Sequence, residues 1–127
     1  MAKAVKEIMF STTNRVGLLE KVTDALKKAR VNIQHICAWG EGSKAHFSVV
    51  TNSNAKARKA LGKLGIRSRE SEGLLLSLKN KVGSLERVAR RLAKAKINIQ
   101  CLTATTSGSR ASILFHTSNN RKARRVV

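Results

Sequence analysis

The stretch NRVGLLEKVTDALKKARVNIQ, Asn14 to Gln34, returns as NKVGSLERVARRLAKAKINIQ, Asn80 to Gln100, at an offset of 66 residues, with 12 of 21 positions identical and no gap. Self-similarity at a fixed spacing marks one supersecondary unit laid down twice, so this repeat governs the reading of everything around it. The register runs on through Gly42/Gly108, Ser43/Ser109, Ala45/Ala111 and Thr51/Thr117, and reaches Lys56-Ala57-Arg58 over Lys122-Ala123-Arg124. Two units are expected, residues 1–71 and 72–127.

Periodicity gives each unit the same elements. Val5 to Ser11 and Leu74 to Leu78 are short apolar runs of strand length that end in polar loops with Asn and Gly. From Val16, the residues Leu19, Val22, Leu26 and Ala29 recur at helical spacing, and Leu85, Val88, Leu92 and Ala95 repeat it. Val31 to Trp39 and Ile97 to Thr105 are rich in β-branched and apolar residues, and Gly42 and Gly108 lead into Ala45 to Thr51 and Ala111 to Thr117, a hairpin in each copy. Ser53 or Asn54 caps a second helix that runs to about Lys63, with Gly65 suited to its end and Ile66 to Glu70 as a short last strand. The order β-α-β-β-α-β is the split βαβ of a ferredoxin-like unit, an α+β fold with antiparallel sheets and helices on one side. In the second copy Asn119 or Asn120 caps a helix ending at Val127, so that unit lacks its last strand. An uncovered edge invites pairing, so intermolecular contact, and with it a homodimer, is expected there.

Composition narrows the classes. The 127 residues carry 26 Lys plus Arg against 7 Asp plus Glu, a formal net charge of +19, while 42% of the chain is hydrophobic. A packed core is therefore available, and polyanion attraction has to be weighed for any function. No acidic residue follows Glu86. No apolar run approaches the ~20 residues of a membrane span and Met1 to Phe10 lacks a secretory signal, so the expected compartment is the cytoplasm and no membrane partner is expected. Cys37 and Cys101 are too few for a disulfide scaffold and read as reduced thiols.

The loop NRVGLL (Asn14 to Leu19), its echo NKVGSL (Asn80 to Leu85), and the amphipathic helices that follow, ending in VNI or INI, resemble the ACT domain, here in tandem. The resemblance implies a regulatory, non-catalytic module that binds an amino acid or similar small effector where two ACT units sit side by side. It assigns the ligand to the loop after the first strand and to the start of the second strand of the adjacent unit. In this sequence that means Asn14, Arg15, Val16, Gly17 and Leu18 with Asn98 and Ile99, and Asn80, Lys81, Val82, Gly83 and Ser84 with Asn32 and Ile33. The residue types suit that role. Glycine at a helix start lets backbone approach a ligand, free N–H groups and the helix dipole favour a carboxylate, and Asn both donates and accepts. A cap or turn role for the same asparagines stays open. Val16 and Val82 stand where the family commonly has proline, so the loop lacks that rigidity. Arg30 and Lys96 stand where glycine often closes the first helix, and a left-handed cap there is strained by ~1 kcal/mol or somewhat more.

Other chemistries are less well supplied. His35 and Cys37 alternate on one strand, but two ligands do not make a metal site without convergence of His46, Cys101 or His116; no metal or cofactor is expected. No paired carboxylates or nucleophile–base set can be read, so an enzyme is not expected. Nucleic acid is the main competitor: Arg87, Arg90, Arg91 and Lys94 cluster on one helix and Lys56, Arg58, Lys59 and Lys63 on another, which suits phosphate neutralisation. Phe10, Trp39, Phe47 and Phe115 are the whole aromatic supply, a poor stacking platform. A third reading is a scaffold re-engineered to high positive charge, whose working property is charge-driven assembly with an anionic partner.

Overall fold

The computed structural model describes residues 2–127. Its elements are β1 (Lys3–Thr13), α1 (Leu18–Lys28), β2 (Ile33–Glu41), β3 (Lys44–Thr51), α2 (Asn54–Lys63), β4 (Arg69–Lys79), α3 (Ser84–Lys94), β5 (Ile99–Ser107), β6 (Arg110–Thr117) and α4 (Asn120–Val126). The chain divides into two compact units, residues 6–71 and residues 2–5 with 72–127. Neighbouring strands run β2-β3-β1-β4 in the first unit and β1-β4-β6-β5 in the second, the α+β arrangement of the ferredoxin-like split.

Alternation along the strands fixes which side receives the helices. In the first unit Ile8 and Phe10 of β1 lie beside Phe47 and Val49 of β3, and Val22 and Leu26 of α1 with Ala57 and Leu61 of α2 close over them. The rings of Phe10 and Phe47 stack at 4.7 Å between centroids. In the second unit Leu74, Leu76, Ile113 and Phe115 receive Val88, Leu92 and Ala123. Burying each of the larger side chains, the alanines aside, contributes on the order of 1.5–3 kcal/mol, enough to hold helices of only seven to eleven residues that would be marginal alone.

Three expectations are corrected. Leu19 and Leu85 are exposed rather than core residues, because the helices begin only at Leu18 and Ser84 and bury positions in step with Val22 and Val88. Ile66 to Glu70 and Leu74 to Leu78 are not separate strands: β4 runs unbroken from Arg69 to Lys79, since nothing between them forces a turn, and Ile66 packs into the core before it starts. The strand that the second copy lacks after α4 is replaced by the start of β1. Ala2 is 1% exposed in the second core, and Arg124 Nε donates to its carbonyl at 3.2 Å, so that edge is not left open. The same contact occurs in the first unit one repeat earlier, where Arg58 donates to Ser68 O at 2.8 Å.

Loop chemistry also repeats. Leu18 N–H donates to Arg15 O and Ser84 N–H to Lys81 O, with Gly17 at φ 86°, ψ 0° and Gly83 at φ 85°, ψ −2°. Those angles at the third residue of a four-residue turn are type II, which places Val16 and Val82 at the position proline would pre-set. At the other end of α1, Arg30 N–H reaches Lys27 O and Val31 N–H reaches Leu26 O, the paired bonds of a Schellman cap; Lys96 and Ile97 repeat it after α3. Arg30 and Lys96 both sit at φ 58°, so the left-handed caps form without glycine.

Two stability measurements check these points. Arg30→Gly and Lys96→Gly should each raise the unfolding free energy by about 0.5–1 kcal/mol in urea melts, the relieved left-handed strain less the added chain entropy of glycine. Ala2→Asp should lower it by about 3 kcal/mol by placing a charge in the second core, whereas an unchanged melt would show that residues 2–5 do not complete that unit.

Candidate functional site

In each unit the turn before the first helix opens onto a cavity. In the first unit a cavity of about 270 Å³ lies among Asn14, Arg15, Gly17, Leu18, Leu19 and Glu20 on one side and Ala38, Trp39, Gly40, Ala45 and Phe47 on the other. In the second a cavity of about 430 Å³ lies among Leu78 to Lys81, Ser84 and Leu85, with Ala104, Thr105, Thr106, Ala111 and Ile113 opposite. Shifted by 66 residues, the two linings largely coincide. The second is roomier and more hydroxylic because Ser84 stands in place of Leu18, Ile113 in place of Phe47, and Thr105 and Thr106 in place of Trp39 and Gly40.

Backbone bonds hold each loop at this place: Asn14 N–H donates to Ser43 O at 2.8 Å and Asn80 N–H to Ser109 O at 2.9 Å, tying the loop to the hairpin tip. The side chains then differ. Asn14 Nδ2 lies over Gly40, 2.8 Å from where a β-carbon would be, while Asn80 Nδ2 donates to Gly108 O at 3.0 Å. Neither helix start has a side-chain cap. Leu18 and Ser84 N–H are used by the turn and Lys21 and Arg87 N–H bond to Gly17 and Gly83 O, which leaves the N–H groups of Leu19, Glu20, Leu85 and Glu86 without an intrahelical acceptor. Donors of this kind, at the positive end of a helix, suit a small carboxylate. Val16 and Val82 are fully exposed at 104% and 102%, and with Leu19 and Leu85 they make an apolar rim around each loop.

Of the residues singled out from sequence, Asn14 to Gly17 and Asn80 to Ser84 are at these loops, and Leu18 is buried beneath the first of them. Asn32 and Ile33 do not share the cavity of their own unit. The antiparallel pairings place the head of β2 opposite Thr51, at the far end of the strand from Glu41 and Lys44, where the cavity lies. Asn98 and Ile99 stand likewise at the head of β5, opposite Thr117. Asn32 N–H donates to Asn52 Oδ1 at 2.9 Å, and Asn98 N–H donates to Ser118 Oγ at 3.1 Å. The ends of β2 and β5, Ala38 to Gly40 and Ala104 to Thr106, carry no local signal in the sequence; only their place across from the loop in the folded sheet marks them.

The basic helices are less uniform than their sequence suggests. Arg58 is engaged with Ser68 and lies 3.9 Å from Glu70, and Arg90 lies 3.5 Å from Glu86. Lys56, Lys59 and Lys63 instead line a groove of about 540 Å³ between α1 and α2, floored by Ala25, Ala29, Ala60 and Leu64 and edged by Lys21, Asp24 and Lys28, the last two paired at 2.9 Å. Arg87 and Arg91 line a separate cavity of about 370 Å³ in the second unit, and Lys94 lies exposed in the last turn of α3. Among the described residues no group of three metal-ligating side chains converges, and no helix is long and apolar enough to cross a membrane.

Among curated proteins none matches the chain in sequence. Solved structures share its fold. A protein of Bacteroides thetaiotaomicron superposes with a TM-score of 0.92 at 22% identity over 98% of this chain and 87% of that one. The ligand-free regulatory subunit of aspartate kinase from Thermus thermophilus gives 0.68 at 17% identity over 98% and 93%. Aspartokinase III of E. coli, in complex with lysine and aspartate, gives 0.61 at 13% identity over 99% of this chain and 30% of that one. A family model described as an ACT domain pair matches residues 3–127, and on that match the chain belongs to the ACT domain pair family.

Proposed function

We propose that this protein is a non-catalytic regulatory module that binds an amino acid or similar small carboxylate at its two helix-start loops. The observation that carries the proposal is that each uncapped helix start, with two backbone donors lacking an intrahelical acceptor, opens onto a cavity of about 270 or 430 Å³ with an apolar rim. The effector carboxylate accepts from Leu19 and Glu20 N–H in one unit and from Leu85 and Glu86 N–H in the other. Asn14 and Asn80 offer carbonyl oxygens to its ammonium group. Arg15 and Lys81 add positive charge beside the carboxylate. Gly17 and Gly83 keep the turn open, since any other residue at φ near 85° is strained. Asn32 and Ile33, and Asn98 and Ile99, complete such a site when a neighbouring ACT unit, for example that of a second copy, presents them. The regulatory-subunit and lysine-bound neighbours support a sensing role for this fold. Binding that favours one assembly state over another is the output we assign, with a homodimer as the working form.

The second reading, attraction of nucleic acid or another polyanion by Lys56, Lys59 and Lys63 on α2 and Arg87 and Arg91 on α3, rests on the lysine-edged groove and the net charge of +19. It predicts an affinity that collapses uniformly with salt and is indifferent to sequence.

A panel of the common amino acids tests the first reading by thermal shift and calorimetry. A true effector at about 100 times its Kd should raise the unfolding free energy by about 2.7 kcal/mol, and no shift and no heat from any of them would remove the proposal. Ser84→Asp is the sharper variant, because a carboxylate at the first turn of α3 favours the helix dipole yet repels a ligand carboxylate. It should leave stability unchanged or slightly raised while halving the calorimetric stoichiometry. Unchanged stoichiometry would place the ligand elsewhere.

A further inference from the structure

The helix-free face of the first unit carries a second constellation, which shares Trp39 and Phe47 with the loop cavity and is otherwise separate from it. Trp39 on β2 and His46 on β3 are direct cross-strand partners, their ring centroids 5.4 Å apart and tilted by 33°. Ser11 Oγ lies 2.6 Å from His46 Nδ1, and Glu41 Oε1 lies 3.5 Å from Nε2, so the imidazole is held from both sides. Trp39 remains 44% exposed, an unusual placement for the largest apolar ring in the chain. Ser11, Trp39 and His46, with Met9, Phe10 and Phe47, line a cavity of about 430 Å³ whose remaining wall is Arg67, Ser68 and Arg69. Both arginines are exposed, and their side chains make no ion pair or hydrogen bond among the described residues.

We infer that this cavity binds a nucleoside monophosphate unit, its base stacked on Trp39 and its phosphate held between Arg67 and Arg69. The exposed indole face supplies a stacking surface that is indifferent to which base lies on it. Two guanidinium groups on one wall match a doubly charged phosphate better than a single carboxylate, and planar forks of donors suit its oxygens. Glu41 sits on the far side of His46 and is 80% exposed, so its charge is directed to water rather than into the cavity. The internal repeat gives a control within the same fold. In the second unit Thr105 and Ser112 take the places of Trp39 and His46, and Arg110 Nη2 bonds to Ser77 Oγ at 2.7 Å, where Ser77 is the counterpart of Ser11. The core positions agree between the copies while this set does not, so the constellation is not a requirement of the fold. The ligand has two sources, a free nucleotide or a residue of a single strand, and they share this chemistry.

Trp39 is the only tryptophan and lines both this cavity and the first loop cavity, so its fluorescence reports binding and the arginine double variant assigns it to this one. Adenosine 5′-monophosphate, adenosine, inorganic phosphate and octaadenylate are titrated separately into the full chain. Saturable quenching by the monophosphate or the octamer is expected, with adenosine and phosphate each weaker by about tenfold or more. Arg67→Gln combined with Arg69→Gln should weaken that binding by about tenfold with an unchanged thermal melt, and Trp39→Phe followed by calorimetry should weaken it by about fivefold or more. A half-saturation for the octamer about 100-fold below that of the monophosphate, with steep salt dependence, identifies a strand as the source; comparable values identify the free nucleotide. No saturable quenching by either up to about 10 mM, quenching by phosphate alone equal to that by the monophosphate, or an unaffected arginine double variant would each overturn the inference. Ser84→Asp, which acts on the other unit, should leave the quenching unchanged.

Discussion

The start of the chain serves two cores. Ala2, the residue before β1, is buried with Leu74 and Phe115, while Ile8 and Phe10 within β1 are buried with Val22 and Phe47. β4 is built to the same pattern of buried and exposed residues as β1, eleven residues long in each case. A chain that ended each copy with its own short strand would need a turn between copies; this one instead runs Arg69 to Lys79 without a break and closes the second unit with residues from its own beginning.

What the loops can do is set by backbone rather than by side chains. A type II turn with glycine at a positive φ delivers the chain into each helix and leaves no residue free to cap it, so backbone donors face outward. Chemistry that depends on backbone tolerates divergence around it, and the two copies use that latitude. The first cavity is narrowed by Phe47 and by Asn14 lying over Gly40; the second is widened by Ser84 and Ile113 and fringed by Thr105 and Thr106. On the proposed function, one architecture with two linings suits effectors of different size.

The sequence was most informative where local physics repeats. Helical spacing, the Gly42 and Gly108 hairpins, the Asn119 cap on Lys122 N–H and the strained caps at Arg30 and Lys96 are each decided within a few residues, and each is present. It was least informative where the answer depends on residues far apart. Periodicity alone put Leu19 and Leu85 inside, because spacing does not show that the buried row of α1 runs through Leu18, Val22 and Leu26 instead. It left an edge of the second copy open, because nothing local relates Ala2 to Arg124. The facing wall of each cavity, at the ends of β2 and β5, comes from strand pairing across the sheet, and Trp39 joins Arg67 and Arg69 only in three dimensions. The positive charge, prominent in the composition, turns out to be partly committed to structure, as at Arg58 and Arg124.

If the uncapped helix starts receive a small carboxylate ligand, their own amides must sense it, and amide-resolved NMR reads those amides one by one. On titration with a mixture of the common amino acids, the Leu19, Glu20, Leu85 and Glu86 amide signals should shift saturably, with those of Gly17 and Gly83 moving alongside. Saturable shifts confined to other parts of the chain, or none at all in either loop, would refute a ligand held by these helix starts.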